Sequence, residues 1–242
     1  MVTSSLRTRA VVPKARNFAA KKAEPSSDVD IRAQIREAAR DLFIRHGLAK
    51  MTLAMVANEL GISRPAVHYY YRTKGSLAEA VLEEYARVSV EQSQENWLDP
   101  ETTLAAKYQK SLELARERYR RYNPAGKGDR PWSLFARFYQ ELDLMSPTMI
   151  ARMKSVAREQ QSYYTAGVNI AKARGELASD APSTDLALQI VALQHQAGWL
   201  TWASGSFAAV ESTYSTSLTS IARSWGKAVD TSRASAAVRK QA

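Results

Sequence analysis

Apolar residues recur along this chain in the three-to-four-residue rhythm of helices, and strand-like alternation is absent. Ile35, Ala38, Ala39, Leu42 and Phe43 follow the i, i+3, i+4, i+7, i+8 pattern of one helix face, which predicts a first helix from about Asp28 to Gly47. Thr52 is a good N-cap for a short second helix with Leu53, Val56, Ala57 and Leu60 inward. Gly61-Ile62 then makes a tight turn, because glycine takes the positive φ of a sharp corner. Ser63 caps a third helix with Pro65 tolerated in its first turn and with Val67 and Tyr71 inward. Lys74-Gly75 closes it, and Ser76 is the expected cap of a long fourth helix through about Gln94.

Punctuation divides the remainder. Asp99-Pro100 precedes a fifth helix ending near Tyr122, and residues 123–131 read as a flexible internal loop. A sixth helix is expected from Trp132 to Met145, a seventh from Ser146-Pro147 to Gly175, and an eighth from Pro182-Ser183 to Gly205-Ser206. A ninth is expected from about Ala208 to Val229. The fold class is all-α: an N-terminal three-helix unit with a helix-turn-helix at 28–75, followed by a helical unit at 76–231. Residues 1–27 lack a sustained apolar period and read as a disordered basic arm, and 232–242 as a frayed tail.

Composition narrows the possibilities. Cysteine is absent from the 242 residues, which excludes disulfides and thiolate metal sites. No apolar run approaches the roughly 18 residues that span a bilayer, and the N-terminus lacks the order of a secretory signal, so a cytoplasmic protein without a membrane partner is expected. The net charge of +10 favours polyanionic partners and is concentrated forward. Residues 1–27 carry +5, so the arm either touches phosphates or is a solvated tail. The histidines are His46, His68 and His195, none in a metal-ligand spacing. Glycine-rich phosphate loops and nucleophile elbows are missing too, so no catalytic residue, metal or cofactor is expected.

Two short helices joined through a glycine corner and braced by a preceding helix form a helix-turn-helix. The second helix must enter a groove roughly 12 Å wide and reach base edges. Arg64 starts that helix, where a guanidinium can donate two parallel hydrogen bonds to guanine. Tyr69 and Tyr70 offer hydroxyls to phosphates, and Lys74 is placed for another phosphate.

At these residues the chain resembles the TetR family of transcriptional regulators. The resemblance is carried by Ile35, Ala38-Ala39, Leu42-Phe43, Gly47, Thr52, Ala57, Leu60-Gly61-Ile62-Ser63, Tyr69 through Lys74, and Leu77. It implies a DNA-binding head, a helical core that binds an effector, and a homodimer held by the last helices. It places DNA contacts on Thr52, Arg64, Pro65, Ala66, His68, Tyr69, Tyr70 and Lys74. His68 stands where the family usually has tyrosine, and is either a pH-sensitive phosphate contact or an ordinary helix histidine. Tyr71 replaces a more usual phenylalanine, so its hydroxyl needs a partner.

Two further stripes carry chemistry. Leu186, Ile190, Leu193, Ala197 and Leu200 have the 4, 3, 4, 3 spacing of a packing seam, and Tyr214, Leu218, Ile221 and Trp225 repeat the theme. Seam spacing fits burial within one subunit as well as a dimer interface; the resemblance favours the interface, and hence a palindromic double-stranded operator. Trp132, Phe135, Phe138, Tyr139, Met149, Met153, Tyr163 and Tyr164 either line an apolar cavity or fill a core. The resulting expectation is a repressor released from its operator by a small hydrophobic or aromatic effector. The alternatives are a helical dimer without specific DNA binding and a basic protein that binds nucleic acid through its tail.

Overall fold

The computed structural model describes residues 28–227; the expected basic arm and frayed tail lie outside them. The described residues form α1 (Asp28–Lys50), α2 (Leu53–Leu60), α3 (Arg64–Tyr70), α4 (Lys74–Trp97), α5 (Leu104–Tyr122), α6 (Leu134–Tyr139), α7 (Pro147–Ala173), α8 (Ser183–Ser204) and α9 (Ala208–Trp225). Among them β pairing is limited to one isolated bridge, between Leu177 and Gly226.

Local signals account for the head. Ile35, Ala39 and Phe43 of α1 are wholly buried, as their spacing requires. Gly47 breaks the helical path with φ 76°, and one more turn carries the chain to Lys50. Thr52 caps α2 by accepting from Met55 N at 3.3 Å, and Gly61 ends it at φ 64°. Ser63 caps α3 by accepting from Ala66 N at 3.3 Å, and Val67 anchors that helix in the core. The cap of α4 is Thr73 rather than Ser76. Ser76 is the far half of a reciprocal capping box, its Oγ accepting from Thr73 N at 3.3 Å while Thr73 Oγ1 accepts from Ser76 N at 3.0 Å. The helix then runs past Gln94 to bury the Trp97 ring.

In the second unit α7 lies between α4 and α8, and α9 packs on α8 and α5. Gly167 of α7 makes the α4 contact close: a Cβ there would meet the Trp97 ring at 2.6 Å. α4 belongs to both units, since Leu77, Ala78 and Val81 join the buried cluster that includes α1.

Three expectations are corrected here. The sixth helix is not continuous from Trp132 to Met145: Ser133 caps a six-residue α6, and a 3-10 turn at Leu142–Leu144 follows. The break falls where the Glu141 side chain turns to bond backbone of α1. The 123–131 segment is tethered instead of loose. Asn123 Nδ2 donates to Arg130 O at 3.1 Å, Arg130 N donates back to Asn123 Oδ1 at 3.0 Å, and Tyr119 donates to Gly126 O at 2.8 Å. The ninth helix stops at Trp225, short of Val229, where Ala178 N donates to Trp225 O at 2.7 Å beside the Leu177–Gly226 bridge.

Candidate nucleic-acid interface and core cavity

The corner of α2 and α3 leaves a coherent set of side chains outward. Thr52, Arg64 and Pro65 are exposed, Ala66 and His68 are half-buried, and Tyr69 is 75% exposed. Arg64 has no side-chain partner among the described residues and sits in the first turn of α3, where the free N–H groups of the helix also favour an anion. Tyr69 and Tyr70 stack edge to face at 5.1 Å.

Other members of the expected set are already engaged. Tyr70 donates to Asp28 Oδ1 at 2.9 Å while the Arg32 guanidinium lies 5.3 Å over its ring. The Asp28 hydrogen bond holds the phenol above its usual pKa, keeping it a neutral donor. His68 Nδ1 lies 3.3 Å from Arg72 O. The Lys74 ammonium, read as a phosphate contact, donates to Leu48 O at 2.6 Å and so caps the end of α1. The Tyr71 hydroxyl has its partner: it accepts from Arg36 at 3.2 Å. Sequence reasoning passed over Arg32 and Arg36, whose roles depend on aromatic rings far along the chain.

Glu141 and Arg137 bind the head to the core. One Glu141 carboxylate accepts from Leu48 N at 2.6 Å and Ala49 N at 3.4 Å, and Arg137 donates to His46 O at 3.1 Å. Gly47 sits beneath both side chains, and its lack of a Cβ lets them approach. α6 therefore grips the corner from which α2 departs.

A cavity of about 200 Å3 opens between α1, α4 and α5 and contacts Trp132. A smaller chamber of about 60 Å3 continues inward between α4, α5, α6, α7, α8 and α9. Tyr85, Ser89, Arg118 and Trp132 line both. Of the eight residues read as cavity-lining, Trp132 and Phe135 are at these walls. Phe138 is wholly buried 5.5 Å from Phe43 and belongs to the head–core packing, while Tyr139 is 68% exposed and faces away. Met149 is buried in the main core, with Met153 and Tyr163 packed against buried residues. Tyr164 is wholly buried, its ring 4.9 Å from Trp97 and its hydroxyl donating to Gln194 at 2.7 Å. The wall residues missed by sequence reasoning include Tyr85, Arg118, Gln160 and Tyr214; Gln160 donates to Ser89 and Ser93 at 3.1 Å each. No group of three His, Cys, Asp or Glu among the described residues can hold a metal ion, and none of their helices is long and apolar enough to cross a membrane.

The seam residues pack within this chain. Leu186, Ile190, Ala197, Tyr214 and Ile221 are buried within this one chain, and Leu193, Leu200, Leu218 and Trp225 are partly buried against the same core. A different stripe of α8 faces outward: Leu188, Trp199 and Trp202 are 47%, 60% and 67% exposed.

Residues 35–81 match the family described as bacterial regulatory proteins, tetR family. The HTH-type transcriptional regulator TtgR of Pseudomonas putida is 39% identical over 54 residues, 22% of this chain and 26% of that protein. The match thus spans about a quarter of that relative's length. The similarity of fold extends further. A TetR regulatory protein from Rhodobacter sphaeroides superposes with TM-score 0.67 at 18% identity over 76% of this chain and 95% of its own. A TetR transcriptional regulator from Chloroflexus aurantiacus gives TM-score 0.67 at 20% identity over 83% and 98%. Residues 35–81 thus carry the sequence of the tetR-family regulatory segment, and the described chain as a whole has the fold of TetR-family structures.

Proposed function

We propose that the protein is a homodimeric, sequence-specific DNA-binding transcriptional regulator, a repressor that a small effector releases from a palindromic operator. The head is the 28–75 unit, and the unit from 76 onward binds effector and partner copy. The observation that carries this reading is Arg64, exposed and without a partner at the start of a capped α3 within the segment that matches the family. There it can present a bidentate fork to guanine O6 and N7. Thr52, Pro65, Ala66, His68, Tyr69 and Tyr70 would border the same groove face. Lys74 holds the end of α1 through Leu48 O and Ala49 O, and its third N–H donor is the one left for a phosphate.

Release follows from differential affinity. A ligand occupying the cavity beside Trp132 and Phe135 presses on the start of α6, while the residues just beyond that helix hold the α1–α2 corner. A shift of α6 would carry through Glu141 to the head and change the spacing of the two recognition helices. Only a ligand that binds the two arrangements unequally can do so.

The dimer would use the outward stripe of α8. Leu188, Ala192, His195, Trp199 and Trp202 follow 4, 3, 4, 3 spacing, and Ala208, Ser212, Ser215, Thr219 and Ala222 line the exposed side of α9 with small residues at the same interval. Large rings on one helix facing small residues on another is a natural pairing for a twofold interface.

The test is selection of bound duplexes from a random pool at near-physiological salt, with sequencing. The expected result is a palindrome, and Arg64→Ala should weaken binding to it by about 1–3 kcal/mol while relaxing preference at one position per half-site. Salt-labile binding with no recovered motif would overturn the proposal. Unaltered base preference in Arg64→Ala would reassign the reading residue.

A further inference from the structure

The inner chamber contains an unanswered charge. Among the described residues, Arg118 of α5 is the one permanently charged side chain on its wall, and its Nε–H is buried with no hydrogen-bond partner. A guanidinium with a buried, unsatisfied donor is costly unless something fills the position. The chain's own carboxylates on the outer cavity are taken: Glu84 pairs with Arg36, and Glu37 with Arg40 and Arg121. The two phenols nearest in charge do not supply an anion either. Burial pushes Tyr164 up to about 12 and raises Tyr214 as well, so both stay neutral. Around this cation Trp132 and Tyr85 line both spaces and Phe135 the inner one, beside polar groups that include Ser89, Gln160 and Gln194.

We infer that the cavity takes a small aromatic carboxylate, its carboxylate on the Arg118 fork and its ring against Trp132 and Tyr85 in the larger space. The planar guanidinium suits a carboxylate through two parallel hydrogen bonds. Size limits the body of the ligand: a dry cavity of about 150 Å3 accepts benzene, so a 200 Å3 chamber opening into one of 60 Å3 fits one ring with a short acidic arm. This inference rests on reading the cavity as the effector site and names the chemical class that the site selects.

The test is calorimetric titration of the full chain, without DNA, using benzoate, phenylacetate and cinnamate, each beside its neutral primary amide. At least one acid should bind, with its amide at least about tenfold weaker. Arg118→Met should remove that preference and leave the thermal midpoint of the ligand-free protein unchanged or raised. Arg118→Lys should keep part of it. Equal affinity for acid and amide, an acid bound as well by Arg118→Met, or no heat from any of the three acids at millimolar concentration would overturn the inference. If Arg118→Met does not fold, the acid–amide contrast in the unaltered chain and in Arg118→Lys decides. Because DNA is absent, failure here leaves the regulator reading to the duplex selection. A recovered palindrome with no acid binding removes only the ligand class.

Discussion

Single residues link the two units through a charge cluster at Asp41. Its carboxylate, on α1, accepts from Tyr122 at 2.8 Å and from Arg121 at 2.9 Å, both at the end of α5, while Arg40 lies alongside at 3.2 Å. Burial alone would raise the Asp41 pKa, but these hydrogen bonds and cations more than offset it and hold it below the usual carboxylate value. A carboxyl group with a depressed folded-state pKa adds stability above its unfolded pKa of about 3.9, and that stability is lost as pH falls through the folded value. Asp41→Asn should therefore lower the denaturation midpoint at pH 7, and the gap to the unaltered protein should close below about pH 4. A gap that stays constant on acidification would show that Asp41 acts by packing alone. Residues whose task is local were legible in the sequence: Thr52, Ser63 and Gly61 cap or turn the chain using atoms within a few positions. Arg118 was not. In the run Arg116 to Arg121 it resembles its solvated neighbours, and only the packing of α5 turns it inward.

Helices show the same division. The α2–turn–α3 pair was readable because its caps, its glycine and its inward residues all point to one geometry. The face of α8 was not, because a 4, 3 repeat fits two adjacent stripes of one helix. Leu186, Ile190 and Ala197 went to the core, leaving Leu188, Trp199 and Trp202 outside. α6 was overread for a related reason: Glu141 suits a helix, but two backbone N–H groups of α1 claim its carboxylate. That claim gives α6 its proposed part in signalling. Glu141→Ala should lower the thermal midpoint of the head, since removing the charged acceptor of the part-buried Leu48 N–H costs about 1–3 kcal/mol. It should also shrink the effector-induced change in operator affinity, measured by titrating DNA with and without ligand. An unchanged ratio would mean that release travels by another route.

For the whole molecule, the proposed dimer rests on the outer stripe of α8. Rings as exposed as Trp199 and Trp202 at the centre of a twofold seam would be dominant contacts, each worth roughly 2–4 kcal/mol. A Trp199→Glu, Trp202→Glu variant should sediment as a monomer at concentrations where the unaltered chain is a dimer. Its helical circular dichroism should be retained, because neither ring supports the fold of one chain. A variant that still sediments as a dimer would place the interface elsewhere. The seat of α8 is itself fixed from an unexpected quarter. Gly128 has φ 63°, and its α-carbon abuts the backbone of Thr201 and Gly205, where α8 ends. The stretch around it looks like the natural place to graft an epitope tag or splice in a reporter domain. Pro124 and Ala125 are exposed, ahead of the Gly126 carbonyl that Tyr119 holds, and leave room for such an insertion. At Gly128 the graft would wedge the end of α8 away from the body and tilt the tryptophans it carries, so two insertion sites only a few residues apart would have opposite effects on assembly.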